Sequence, residues 1–192
     1  MSTEHRHSAG TPSARSARWL SHFRLEQLDP DRFDARVRHV EVCNDFALSY
    51  LTFGGPIEVE LPPLQETYLI VIPIRGDIRL LSGGVDVRAT SRRAVIVDPA
   101  DSHWQVWPAG AEVLFVHLDV GAVDTLAAEG TGRVRFRPVL DLGTDLGRGW
   151  FESLMSLIQR LDGAGQDERD PSDVACCATK LTSRLLEFQP LM

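Results

Sequence analysis

Residues 68–89 read Tyr68-Leu-Ile-Val-Ile-Pro-Ile-Arg75-Gly76-Asp77-Ile78-Arg-Leu-Leu-Ser82-Gly83-Gly84-Val85-Asp-Val-Arg-Ala89, and this stretch decides the fold. From Tyr68 to Ile74 every position is apolar, which fits a strand buried on both faces. Gly76 then interrupts the run, where a bulge or bend tolerates the missing side chain. Ile78 and Leu80 alternate with Arg79, Ser82-Gly83-Gly84 turns the chain, and Val85, Val87 and Ala89 alternate with Asp86 and Arg88. Period and turn chemistry together predict a hairpin.

The same period of two extends outward. Leu48, Tyr50 and Thr52 alternate with Ser49, Leu51 and Phe53 before Gly54-Gly55-Pro56, and Ile57, Val59 and Leu61 follow up to Pro62-Pro63. Downstream, Ala94 to Val97 is an apolar strand stopped by Asp98-Pro99. His103 to Trp107 and Glu112 to Leu118 read as a strand pair around Pro108-Ala109-Gly110-Ala111. About eight short strands at regular turn spacing, with no helical segment between Ala47 and Val120, predict a sandwich or small barrel. Upstream, Asp29-Pro30 opens a short helix reaching about Val37, because Asp caps and Pro suits the first helical position.

After Asp119 the period becomes 3.6. Val123, Leu126 and Ala127 form a short helix ended at Gly130. Thr144 caps a longer one with Phe151, Leu154, Leu157, Ile158 and Leu161 on one face and Gly163 at its end. Ser172 caps a last helix whose stripe is Val174, Cys177, Ala178, Leu181 and Leu185. The division expected is a solvated, disordered tail at 1–18, a β-barrel at 19–120, and a helical segment at 121–192 packed on it.

Composition narrows the function. The 192 residues suit one domain with a small appendage, and 43% hydrophobic with 24% charged residues exclude wholesale disorder. A net charge of −7 argues against this chain gripping a phosphate backbone by itself. Cys43, Cys176 and Cys177 are too few and too poorly spaced for a disulfide framework or a zinc pair. The longest apolar run, broken by Pro73, is far short of a membrane span, and residues 1–18 hold no apolar segment of a secretory signal, so a cytoplasmic location without membrane contact is expected.

Catalytic motifs are missing. Of His5, His7, His22, His39, His103 and His117, only the last two lie in the strands read from Ala47 onward, and they supply at most two ligands to a metal. No Gly-X-Ser-X-Gly elbow or phosphate loop occurs, and Cys176 and Cys177 read as small core residues of a helix. What remains is an aromatic, partly polar wall. If 108–111 joins a hairpin, Trp104, Val106, Val113, Phe115 and His117 line one side, and His103, Gln105, Trp107, Leu114 and Val116 the other. A slip of one residue exchanges the sets, so both faces stay open. Either set offers aromatics with a few hydrogen-bonding groups, as small-molecule pockets do, and either would equally fill a small barrel.

The order of segments resembles a known family. Phe46-Ala-Leu-Ser-Tyr-Leu-Thr-Phe-Gly-Gly-Pro-Ile-Glu-Val59 looks like the opening strands of the N-terminal domain of AraC-type regulators. Tyr68 to Gly76, Ala94-Val-Ile-Val-Asp-Pro99 and Phe136-Arg-Pro-Val-Leu-Asp-Leu142 are similar to segments that follow in that family, and the resemblance spans roughly Phe23 to Phe188. It implies an α+β fold: a cupin-like small β-barrel or sandwich followed by two antiparallel amphipathic helices. It also implies a small-molecule effector, aromatic or an organic acid, and a homodimer or a heterodimer with a full-length regulator, with no cofactor. The DNA-binding helix-turn-helix module of such regulators has no counterpart up to Met192, so no direct DNA binding by this chain alone is expected. The ligand-binding residues expected are Tyr68, Arg75, His103, Trp104, Trp107, Phe115 and His117. Leu154, Leu157, Ile158, Leu181 and Leu185 are expected at the dimer surface, where charging Leu181 and Leu185 would give a monomer. The alternatives are a metal-dependent cupin-type enzyme and a structural oligomerisation module with a filled barrel.

Overall fold

The computed structural model describes residues 24–27, 35–127, 133–163, 170–189 and 191–192. Its strands form two antiparallel sheets. The five-stranded sheet runs β1 (Arg24–Gln27), β4 (Ile57–Leu61), β9 (His103–Trp107), β6 (Ile78–Ser82), β7 (Val85–Ala89). The six-stranded sheet runs β11 (Val139–Asp141), β8 (Arg93–Val97), β5 (Thr67–Arg75), β10 (Glu112–Asp119), β3 (Phe46–Phe53), β2 (Ala35–Cys43). Three helices complete the described fold: α1 (Val120–Ala127), α2 (Asp145–Gly163) and α3 (Pro171–Phe188).

The doubly apolar strand takes the place its composition demands. In β5, Leu69 and Val71 point between the sheets, into a core with Leu51, Val59, Leu80, Trp107 and Phe115. Tyr68, Ile70 and Ile72 point the other way, into a core shared with Trp150, Leu154, Leu157, Leu181 and Leu185 of the helices. The six-stranded sheet is thus a middle layer, with a barrel on one side and helices on the other. Each fully buried aliphatic side chain in it contributes about 1.5–3 kcal/mol.

Local chemistry sets the turns. Gly83 (φ +54°) and Gly84 (φ +77°) both adopt the left-handed conformation that a two-residue hairpin loop requires, so β6 and β7 pair as the sequence predicts. Gly76 has φ +79°, and a Cβ there would lie 3.1 Å from Pro108 Cγ. The bulge itself falls two residues earlier. Glu112 faces Arg75 while Val113 faces Pro73, leaving Ile74 as the extra residue beside a proline with no N–H to donate.

Four expectations need correction. β9 and β10 exist but do not pair; residues 108–111 carry the chain from one sheet to the other, tied to β3 by Gly110 N–H donating to Phe53 O at 3.1 Å. Composition explains the separation: β10 is buried on both faces and suits the middle layer, whereas β9 alternates buried and half-buried residues and suits a sheet with one wet face. The helix expected from Pro30 to Val37 lies partly outside the described residues, and its last residues open β2 instead. There Arg36, Arg38 and Glu41 reach water from an edge strand, which mimics the polar side of a helix. The last helix is capped by Asp170, which accepts from Ser172 N–H at 2.9 Å with Pro171 leading the helix; Ser172 is already inside it. Thr144 does cap α2, accepting from Gly147 N–H at 3.1 Å. Finally, 121–192 is not purely helical, since β11 extends the six-stranded sheet through its pairing with β8. The expected tail at 1–18 lies outside the described residues, as does Gly130.

The helical leucines have a different role from the one expected of them. Leu154, Leu157, Leu181 and Leu185 are buried within this single chain against the outer face of the sheet, with Ile158 packed alongside. Trp150 Nε1–H donates to Leu181 O at 2.9 Å and locks α2 to α3. These side chains hold the chain together before any partner arrives. Leu185→Ala should therefore lower unfolding stability by about 2–5 kcal/mol in urea titration. Leu185→Glu should prevent folding. A well-folded monomer from Leu185→Glu in light scattering would contradict this packing.

Candidate functional site

Strand register gives the barrel two distinct ends. Trp107 faces Ile57 across β9 and β4, and Val113 of β10 lies beside Leu51, so Trp107, Val113 and the 108–111 crossover share one end. His103 faces Leu61 and Ser82, while His117 faces Ala47 and Leu69, so the two histidines lie towards the other end, from opposite sheets. The segments 62–66 and 98–102 cross between sheets at that second end.

Aromatic rings cross the interior edge to face. Phe53 meets Trp107 at 5.2 Å between centroids, Trp107 meets Phe115 at 5.9 Å, Phe115 meets His117 at 6.3 Å, and His117 meets His39 at 5.9 Å. Ser49 Oγ bridges the two histidines, 2.9 Å from His117 Nε2 and 2.8 Å from His39 Nδ1. This relay joins β2, β3 and β10 through side chains alone.

The facing sheet differs. Ser82, His103 and Gln105 form a short row on its inner face, since Ser82 is directly opposite His103 and Gln105 lies two residues along the strand. All three are buried, and Ser82 Oγ, both His103 ring nitrogens and Gln105 Nε2 have no hydrogen-bond partner among the described residues. Gln105 Oε1 is engaged, accepting from Trp107 Nε1–H at 2.9 Å. An unmet buried polar group costs about 1–3 kcal/mol, so four in one row set this face apart from the rest of the interior.

Burial also sets the charge of this interior. Desolvation pulls the His103 imidazole down to about 4. His117 falls to about 3, through desolvation first and repulsion from His39 second. His39 is itself lowered by burial, partly opposed by Glu41. Both interior imidazoles are neutral at pH 7, each with one donor and one acceptor nitrogen.

Of the residues expected to bind ligand, His103, Trp107, Phe115 and His117 are brought together inside the barrel. Trp104, Tyr68 and Arg75 are not. Trp104 lies on the outer face of the five-stranded sheet with the Arg79 guanidinium 5.9 Å over its ring, because alternation places it opposite in sense to His103 and Gln105. Tyr68 faces the helical layer and donates its hydroxyl hydrogen to Val134 O, and burial raises its pKa. Arg75 is exposed at the bulge, paired with Glu112 at 2.7 Å and donating to Gly110 O at 3.1 Å. Gln105 belongs with His103 and Trp107 by alternation alone. Ser82, Ser49 and His39 come from other strands and join only through register. Among the described residues, no group of three or more His, Cys, Asp or Glu is placed to hold a metal ion. Hollows on the outside include one of about 460 Å³ between α2 and α3, edged by Arg160, Lys180 and Arg184. No helix among the described residues is long and apolar enough to cross a membrane.

Two facing sheets backed by a helical layer define an α+β, cupin-like barrel with a polar row inside it. Residues 13–187 match the AraC-binding-like domain family, and the chain belongs to that family. Its structure is similar to that of the AraC-like transcriptional activator CuxR, with a TM-score of 0.66 at 11% identity over 93% of this chain and 69% of that one. KdgF from Halomonas sp. overlaps 49% of this chain and 84% of its own at 12% identity, with a TM-score of 0.40. The cupin domain of Schizosaccharomyces pombe Cnp3 overlaps 48% of this chain and 67% of its own at 11% identity, also with a TM-score of 0.40. No curated protein matches the sequence.

The depressed histidines carry a pH signature. In the unfolded chain they titrate near 6.5, so as pH falls the unfolded state takes up protons first. The stability they contribute is present above about 6.5 and is lost as pH falls towards about 4 for His103 and 3 for His117. For His103 the loss is on the order of 3 kcal/mol. Urea titrations across that window should show His103→Leu losing less stability with acidification than the parent, and equal slopes would contradict a buried neutral His103.

Proposed function

We propose that this chain is the small-molecule effector-binding and self-associating part of a transcriptional regulator. The effector sits inside the barrel against Ser82, His103 and Gln105, between the walls carrying Trp107, Phe115 and His117. The observation that carries this reading is the row of four unpartnered buried polar atoms, because a domain serving only as a spacer gains nothing from keeping them. The domain recognises by enclosure and performs no reaction. Residues 19–120 sense, residues 121–192 transmit and associate, and contact with DNA belongs to another module of the regulator, in the cytoplasm.

A route from barrel to helices supports the assignment. Gln65, a non-glycine residue with φ +60°, donates its N–H to Pro99 O at 2.8 Å and joins the two crossovers at the His103 end. Arg133 donates to Gln65 O at 3.1 Å, and Val120 N–H at the start of α1 donates to Glu66 O at 3.0 Å. A guest that displaces 62–66 thus moves α1 and the 133–136 segment, on which the helical layer rests. The leucine stripes being buried, self-association with a second copy or a full-length regulator uses the outward rim of α2 and α3, around Ser156, Arg160, Lys180 and Arg184. Binding then biases one arrangement of the pair over another.

A filled barrel is the second reading, favoured by the mutual packing of Phe53, Trp107 and Phe115. A thermal-shift screen of small organic molecules separates the two. An effector at a hundred times its Kd should add about 2.7 kcal/mol of stability, and the gain should vanish in Gln105→Leu. Gains that persist in Gln105→Leu, or a parent protein that no molecule stabilises, would favour the filled barrel.

A further inference from the structure

We infer that the barrel interior selects uncharged ligands, molecules rich in hydrogen-bond acceptors with an apolar part, which dock on Ser82, His103 and Gln105 and extend towards Trp107 and Phe115. This rests on the effector-binding reading above and adds the chemical class of the guest.

The donor balance of the row leads to it. The Trp107 indole can only donate, so the Gln105 atom that meets it is the carbonyl oxygen, and the amide NH₂ with its two donors faces the interior unpartnered. Neutral His103 adds one donor and one acceptor, and Ser82 adds one hydroxyl. Donors outnumber acceptors, which suits a carbonyl, carboxamide or hydroxyl guest.

Charge is excluded from both sides. No Asp, Glu, Lys or Arg is among the buried residues described. Arg75, expected among the ligand-binding residues, lies outside the barrel in an ion pair with Glu112. An anion moved into this interior would lose its hydration without gaining a counter-charge, a large penalty. A cation would meet an interior that presents mainly donors and no carboxylate. On this inference the guest is not the organic acid that the family resemblance suggested.

Benzamide, benzoate and benzamidinium share one shape and differ in charge. Titrated at pH 7 into the full chain, they can be followed by NMR through the Gln105 side-chain NH₂ and Trp107 indole N–H signals. Benzamide should shift both signals at millimolar concentration, with benzoate and benzamidinium at least about tenfold weaker. Gln105→Leu should weaken benzamide about tenfold, and Ser82→Ala serves if that variant does not fold. Benzoate or benzamidinium binding as tightly as benzamide, at the same signals, overturns charge selection and leaves the interior site standing. No shift with any of the three overturns the interior site and this inference with it.

Discussion

The molecule depends on one constraint: both faces of its six-stranded sheet are apolar and both must be kept from water. A β-sandwich normally leaves one face of each sheet solvated. Here Leu69 and Val71 of β5 need a cover on one side, and Tyr68, Ile70 and Ile72 need another on the other. The five-stranded sheet provides the first and the α2–α3 pair the second. The five-stranded sheet keeps a wet outer face, marked by the exposed pairs Arg79–Asp86 at 2.6 Å and Arg88–Asp77 at 2.7 Å. Barrel and helices thus share one wall, and that wall is where they can influence each other.

Against this dry architecture the inner face of β9 stands apart. Protein interiors satisfy nearly all their buried polar groups, and the outer core here follows suit: Tyr68, Trp150 and Gln189 all reach backbone carbonyls. The Ser49–His39–His117 relay is also engaged. Only at Ser82, His103 and Gln105 do several groups lie buried and unmet together among the described residues. They belong to a member of the AraC-binding-like family and lie on the sheet that faces the shared wall, which carries His117 and Phe115.

Much of the fold was legible, for reasons visible in particular residues. The doubly apolar run at Tyr68–Ile74, the Gly83-Gly84 hairpin, the Thr144 cap and the two amphipathic stripes are local signals, each readable from spacing within a few turns of chain. The edge strand β2 was not, because its charges face water and leave too weak an alternation. The Asp170 cap was less legible, because Ser172 is also a good capping residue and only Pro171 between them marks where the helix begins.

What sequence determined by itself is the period of most segments, the turns that end them and the strand that must be covered on both faces, since side-chain alternation and turn geometry are properties of neighbouring residues. What tertiary structure alone decided is partnership. Whether β9 pairs with β10 or faces it across a barrel, whether Trp104 or Trp107 looks inward, and whether Leu181 meets another subunit or its own sheet all depend on which surfaces compete for the same cover. That competition involves residues far apart in the chain, and the free energy of burying both faces of one sheet, rather than any local pattern, settled it.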